Sequence, residues 1–299
     1  VFERRASMKI LISDAFAPTL PDKLARFGEV TDDKSRLPEV DVVLVRSKTK
    51  CTKEYIDEAK NLKLIIRGGV GIDNIDVEYA RSKGIEVRNT PEASSIAVAE
   101  LTMALLVGIP NNLVPGHMGM AEGKWLKKQL KRTELYGKTL GLIGIGRIAT
   151  EVAKRAKAFG MRIVAYDPYI ETSEWAEVLP TLEEVLGQAD FVSLHVPLTD
   201  ETKGMINRTT IAHMKDGAIL INTGRGKCVI EEDVAEALRS GKLRAYGTDV
   251  WYCDPPDESC ALLNAPNVTM TPHIGASSKE NLLRIGDVVE RILDSFPGR

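Results

Sequence analysis

The sequence predicts an α/β protein built from two doubly wound domains with parallel sheets, the first of them discontinuous in the chain. Three observations lead there. Short apolar strands alternate with amphipathic helices from one end to the other, the pattern of parallel α/β architecture. The second half alone holds six such strands, near 139–143, 162–166, 191–195, 218–222, 245–249 and 268–271, enough for a complete dinucleotide fold of order 3-2-1-4-5-6. A last amphipathic run, about 278–293, follows the sixth strand and is free to cross back to the first domain.

At 299 residues the chain suits two domains of ordinary size. A hydrophobic share of 43% with 27% charged residues is that of a globular protein. The net charge of −2 leaves no electrostatic footprint for nucleic acid or an anionic membrane. No apolar run reaches the roughly 20 residues that a membrane span needs. Residues 1–7 lack the hydrophobic segment of a signal peptide, and an apolar strand opens at Met8, so Met8 reads as the native start and 1–7 as an irregular extension. Cys51, Cys228, Cys253 and Cys260 show no CxxC spacing, which predicts reduced thiols in a cytoplasmic protein and no metal site.

In the first hundred residues strands are predicted at 9–13, 42–45, 64–67 and 86–88, with helices around 21–27, 53–59 and 77–83. A helix at about 93–107 is too apolar for a surface position and suits a crossing between domains. The stretch Ile109-Pro110-Asn111-Asn112-Leu113-Val114-Pro115-Gly116 reads as its end. The domains expected are therefore 8–107, completed by 277–299, and 108–276 with a protruding arm at 116–136.

The strand at 139–143 runs into Gly144-Ile145-Gly146-Arg147-Ile148-Ala149, the G-x-G-x-x-A dinucleotide fingerprint. Gly144 permits the turn, Gly146 lets the backbone approach a pyrophosphate, and Ala149 lets the helix pack on the strand. The phosphates of the ligand then meet unpaired N–H groups at a helix N-terminus. The next strand ends in Asp167, where a carboxylate accepts the ribose hydroxyls of NAD and repels the 2′-phosphate of NADP. Both domains are thus expected to be Rossmann-like, with NAD as the cofactor. Further polar groups stand at the carboxyl ends of the later strands, where ligands of such sheets gather: His195, Arg225, Asp249 and His273.

The chain resembles the D-2-hydroxyacid dehydrogenases, and among them the phosphoglycerate dehydrogenases most. The motifs that carry this are Arg67-Gly68-Gly69-Val70-Gly71-Ile72-Asp73-Asn74, Asn89-Thr90-Pro91, Ala99-Glu100-Leu101-Thr102, the fingerprint with Arg147-Ile148, His195-Val196-Pro197-Leu198, Asn222-Thr223-Gly224-Arg225-Gly226, Asp249-Val250 and Pro272-His273-Ile274-Gly275-Ala276. The resemblance implies that Arg147, Ile148, His195, Val196, Pro197, Thr223, Gly224, Arg225, Asp249, His273, Gly275 and Ala276 join Gly144, Gly146 and Asp167 around NAD.

It also implies a reaction that the residue types support. Oxidising a 2-hydroxy acid needs a cation for the carboxylate, a base for the hydroxyl proton and a hydride acceptor. Arg225 fits the first, since a planar guanidinium clamps a carboxylate, His273 the second, and NAD the third. In the family a glutamate orients the histidine; here that position holds Asp254, one methylene shorter, with Glu258 a weaker substitute. The backbone around Gly69, Val70 and Gly71 is expected to hold the substrate carboxylate. Arg46 and Arg67 match residues that face the phosphate of 3-phospho-D-glycerate, while Lys48 and Lys50 read as a solvated loop.

The expected function is oxidation of that substrate to 3-phosphohydroxypyruvate in serine biosynthesis, in a short form ending without a regulatory domain. Alternatives are another small 2-hydroxy acid such as glyoxylate or lactate and, from a different class, an NAD-binding corepressor-like protein; turnover separates them. The arm carries Trp125 and Leu126 among lysines, which predicts a homodimer, and the resemblance implies that Lys127 reaches the neighbouring subunit's substrate phosphate.

Overall fold

The computed structural model describes residues 8–297; the extension at 1–7 lies outside the described residues. The chain divides into two compact units, one running to Ser94 and resuming at Ala276, the other spanning Ser95–Gly275.

The first unit contains β1 (Met8–Ile12), α1 (Leu20–Leu24), β2 (Gly28–Thr31), β3 (Val42–Val45), α2 (Lys53–Glu58), β4 (Leu64–Arg67), α3 (Val77–Ser82) and β5 (Glu86–Asn89). Its sheet is parallel throughout, in the order β2-β1-β3-β4-β5. β3 (VVLV) and β4 (LIIR) are buried along their whole length, as uninterrupted apolar runs covered on both faces should be. The strand that sequence reading misses, β2, lies at the edge and is mostly half-buried, so its pattern is weak.

The second unit holds α4 (Ser95–Gly108), α5 (Leu113–Ala121), β6 (Thr139–Ile143), α6 (Arg147–Ala158), β7 (Arg162–Tyr166), β8 (Glu177–Val178), α7 (Leu182–Gln188), β9 (Phe191–Leu194), α8 (Arg208–Ala212), β10 (Ala218–Asn222), α9 (Glu231–Ser240), β11 (Leu243–Thr248) and β12 (Val268–Met270). The parallel sheet has seven strands, ordered β12-β11-β10-β9-β6-β7-β8. This corrects the six-strand expectation. The third position beyond β7 is taken by the two-residue β8, too short to leave a pattern, and β9 pairs directly with β6. The strand order reverses between β6 and β9, the place where ligands of such sheets bind.

Two helices also differ from expectation. α4 packs against α6 and β10, with Val98, Thr102, Met103, Leu105 and Leu106 buried, so it belongs to the second unit and the boundary falls at Ser94 rather than 107. The stretch read as its end contains the start of α5, whose Pro115 falls in the first turn, where N–H groups have no helical partner anyway. α10 (Lys279–Ser295) is capped by Ser278, whose side chain accepts the Asn281 N–H, and belongs to the first unit. Its Ile285, Val289, Ile292 and Leu293 join Ile10, Leu20, Leu44 and Ile66 in that unit's core. No single helix among the described residues is long and apolar enough to cross a membrane.

Candidate active site

β6 delivers the chain into the fingerprint turn. Gly144 has φ +87, and a Cβ there would lie 2.7 Å from the carbonyl oxygen of His195, so only glycine fits. Gly146 is the opposite case. It precedes α6 as an N-cap without a side-chain cap, and nothing lies within 4 Å of where its Cβ would stand. Arg147 and Ile148 form the first turn of α6, and fully buried Ala149 packs that helix on the sheet. Open space at an uncapped helix N-terminus suits a pyrophosphate. Asp167 is braced beside it. Its Oδ2 accepts the Ile145 N–H (3.1 Å) and its Oδ1 the Tyr169 N–H (2.9 Å), leaving lone pairs for two ribose hydroxyls. These residues fit NAD.

After β9, the His195 N–H bonds to the Ile143 carbonyl (2.8 Å) and its Nε2 pairs with the Ser193 hydroxyl (2.9 Å). Burial pushes the His195 imidazole down to about 4, so the ring is neutral at physiological pH. Val196 lies beside Gly144 and Pro197 is exposed. After β10, the Thr223 hydroxyl meets that of Thr102 (2.8 Å), and Gly224 N–H donates to Asn222 Oδ1 (3.0 Å). Arg225 is half-buried, its Nη1 donating to the Gly224 carbonyl (2.8 Å). A Cβ on the following Gly226 would meet the Trp251 carbonyl at 2.0 Å, so the Arg225 turn lies flush on Trp251.

Trp251 in turn donates its indole N–H to the Thr271 carbonyl (3.2 Å), at the start of the segment bearing His273. His273 Nδ1 is hydrogen-bonded to Asp254 Oδ2, so the family's histidine–carboxylate contact forms despite the shorter side chain. His273 has φ +55, a left-handed conformation uncommon outside glycine. What holds it is Asp249, 1% exposed. This carboxylate accepts from Thr271 Oγ1 (2.6 Å), Ile274 N–H (2.8 Å) and Gly275 N–H (2.8 Å). A Cβ on Gly275 would lie 2.9 Å from Asp249 Oδ2. The resemblance gives Asp249 and Gly275 to the cofactor; within the structure they also support the His273 loop. A buried acid one residue past a strand is the signal that could have shown it.

The other expected residues belong to the first unit, except Lys127, which lies in the second. Arg46 follows β3. Its N–H donates to Asp14 Oδ2 (2.7 Å), its Nη2 to the Ala276 carbonyl (2.9 Å) and its Nη1 to the Ala15 carbonyl (3.5 Å). Arg67 ends β4 and is 8% exposed, with Nη1 on the Gly68 carbonyl (3.3 Å) and directly beneath Gly69, where a Cβ would lie 1.4 Å from it. Arg46 is half-buried and Arg67 buried, and each donates to a backbone carbonyl of its own unit. The turn Gly69-Val70-Gly71 is tied at Gly69 and Val70, whose carbonyls accept from Thr90 N–H and Asn89 Nδ2. Lys127 is exposed in the segment after α5.

Residues 103–275 match the family model described as D-isomer specific 2-hydroxyacid dehydrogenase, NAD binding domain. The chain is 50% identical over 259 residues to a hydroxypyruvate reductase of Thermotoga maritima, covering 86% of this chain and 85% of that protein. It is 45% identical to a D-3-phosphoglycerate dehydrogenase of Methanocaldococcus jannaschii, covering 94% of this chain but only 56% of the relative, so it spans about half the length of that enzyme. An NAD-dependent formate dehydrogenase of Staphylococcus aureus, solved in complex with NAD, superposes with a TM-score of 0.87 at 30% identity, covering 97% of this chain and 96% of the other. The glycine turn, the braced Asp167 and these likenesses agree: the chain belongs to the NAD-dependent D-2-hydroxyacid dehydrogenase family.

Proposed function

We propose that the protein interconverts a three-carbon D-2-hydroxy acid and its 2-oxo acid, with D-glycerate and hydroxypyruvate as the leading pair. The observation that carries the reaction type is the His273–Asp254 pair on a loop fixed by Asp249. With Nδ1 facing Asp254, Nε2 of His273 is the atom that takes the C2 hydroxyl proton in oxidation and returns it in reduction. Asp254 holds the ring in the tautomer with hydrogen on Nδ1. Arg225 clamps the substrate carboxylate and polarises the C2 oxygen. Gly144, Gly146, Arg147, Ile148 and Asp167 hold NAD, which supplies hydride chemistry when bound.

The unphosphorylated substrate is preferred because the relative matched along 85% of its own length is named a hydroxypyruvate reductase, and Arg46 and Arg67 each also serve a backbone carbonyl of the first unit. The Thermotoga relative's name supports the same pair. A second reading, oxidation of 3-phospho-D-glycerate, is favoured by the Methanocaldococcus relative and by the exposed Lys127. NADH-dependent reduction of hydroxypyruvate, 3-phosphohydroxypyruvate, glyoxylate and pyruvate decides between them. A kcat/KM at least tenfold higher for hydroxypyruvate is expected. A preference for the phosphorylated acid, lost in Arg46→Ala, would establish the second reading. NAD binding without turnover of any of the four would leave the corepressor-like alternative.

The working form is proposed to be a homodimer. α5 and the segment after it expose Leu113, Val114, Met118, Met120 and Trp125, the last 74% exposed, and large apolar side chains gathered in one exposed segment are what a subunit contact would cover. Leu126 is not part of that surface, since it packs on Gly119 of α5. Sedimentation should give twice the chain mass, and Trp125→Glu should halve it.

A further inference from the structure

Glu231 takes no part in the proposed reaction, yet it is a carboxylate only 9% exposed. It is the first residue of α9, where the helix N-terminus favours a negative charge. Its two oxygens reach two different points of one loop. Oε1 accepts the Tyr252 N–H (3.1 Å) and Oε2 accepts the Cys260 S–H (3.1 Å). Tyr252 and Cys260 are the two ends of the segment that carries Asp254, so a single side chain from outside the loop closes its neck.

The two halves of the loop are tied differently, and in the earlier one Lys227 Nζ also lies over the Tyr252 ring, 5.2 Å from its centre. The later half is braced by Asp257, which accepts from the Ser259 N–H and hydroxyl and, through its carbonyl, from the Cys260 N–H. The earlier half contains Pro255 and Pro256, which have no N–H to donate. Asp254 is one methylene shorter than the glutamate of the resembling enzymes, so its backbone must be placed closer for the carboxylate to reach His273.

We propose that Glu231 is the positioning residue for Asp254, pinning the loop neck so that the carboxylate meets His273 Nδ1. Tyr246 and Cys260 are titratable groups that interact with it. The inference rests on the reading that Asp254 orients His273.

The test is made on the full chain with uniformly 15N-labelled histidine. The protein has four histidines, and the His273 ring signals are assigned with His273→Ala. The readouts are the Nδ1–H tautomer signal of His273, the NAD affinity by titration, and kcat with NADH and hydroxypyruvate. Asp254→Ala should abolish the tautomer signal. Glu231→Ala should weaken it in the same way and lower kcat by about 10–100-fold, the scale of a small misplacement in a site, with NAD affinity unchanged. Glu231→Gln should restore most of both, because an amide can accept from Tyr252 and donate to the Cys260 sulfur. An intact tautomer signal and kcat in Glu231→Ala, with the signal lost in Asp254→Ala, would overturn the inference alone. A signal kept in Asp254→Ala would instead overturn the underlying pair. Should Glu231→Ala fail to fold, Cys260→Ala severs one tie; a several-fold loss of kcat supports the assignment and an unchanged kcat and signal refutes it.

Discussion

Both units carry a parallel sheet whose central strands run into a glycine turn, and the two turns are put to opposite uses. After β4, Gly68 and Gly69 are packed shut. A Cβ on Gly68 would meet Phe16 at 2.6 Å and Ile285 at 3.1 Å, and Gly69 covers the Arg67 guanidinium. After β6, Gly144 is closed by the His195 carbonyl, but Gly146 stands in open space ahead of a twelve-residue helix without a side-chain cap. Glycine in the first turn lets the chain fold over a buried cation; in the second it keeps a place free for an anion. Glycine content alone does not tell them apart. The position of the next helix does: α6 comes straight after Gly146, whereas α3 begins only at Val77.

The largest expected effect lies in the second unit. His273→Ala should lower kcat by about 10²–10⁴-fold, the ordinary worth of a positioned acid or base. NAD affinity should stay within about twofold, since the ring's partner is Asp254. A comparable loss of NAD affinity would place His273 in the cofactor cradle instead and blur the line between the open turn and the catalytic loops.

The contrast between the turns is broken most directly by filling each. Gly146→Ala places its Cβ where no atom lies within 4 Å and has extended backbone, so it should leave stability nearly unchanged while weakening NAD by about tenfold or more, roughly 1.4 kcal/mol. Gly69→Ala must adopt φ +147 against Arg67, which should cost about 1–3 kcal/mol of stability and leave NAD affinity alone. Thermal unfolding and cofactor titration on the two variants give a crossed pattern. The same pattern in both would erase the distinction.

Asp167→Ser tests the far wall of the open turn. The carboxylate is held by the Ile145 and Tyr169 N–H groups, and Pro168-Tyr169-Ile170 supplies no arginine to receive a 2′-phosphate. Serine removes the repulsion and one ribose acceptor, so the ratio of kcat/KM for NAD over NADP should narrow by about tenfold. An unchanged ratio would mean that something other than Asp167 discriminates between them.

How far the sequence went depends on whether a residue's role is local. The fingerprint, Asp167 and the alternating strands were legible because each is set by neighbours in the chain, and β6, α6 and β7 fall where that pattern puts them. β8 has two residues and no periodicity to read. α5 contains Pro115 and Gly116, which ordinarily mark a helix end, and only its place after the left-handed Asn112 makes Pro115 a first-turn residue. Arg46 and Arg67 have the charge a phosphate needs, but charge does not reveal that each also donates to a nearby backbone carbonyl. Asp249 and Glu231 act through loops that the sheet brings to them, at separations of 22 to 29 residues for their side-chain partners, and no spacing in the chain announces that.

The smallest expected effect separates the units by acid sensitivity. All four histidines, at 117, 195, 213 and 273, fall within the second unit. His195 is held neutral by burial, its pKa pushed down to about 4 from the ordinary value near 6.5. As pH falls below 6.5 the unfolded chain takes up a proton that the folded ring refuses until about 4, so stability is lost progressively across that window and is unaffected above it. His195→Gln retains a partner for the Ser193 hydroxyl but cannot titrate. Between about pH 7 and 4.5 its Tm should therefore fall less than that of the parent, by a few degrees at about 2–4 °C per kcal/mol. Hydrogen exchange should place the difference in β6, β9 and the turn at Gly144, against which the His195 carbonyl is packed, and not in β3 or β4. Equal Tm slopes for parent and variant would show that His195 takes up its proton as readily in the folded protein as in the unfolded chain.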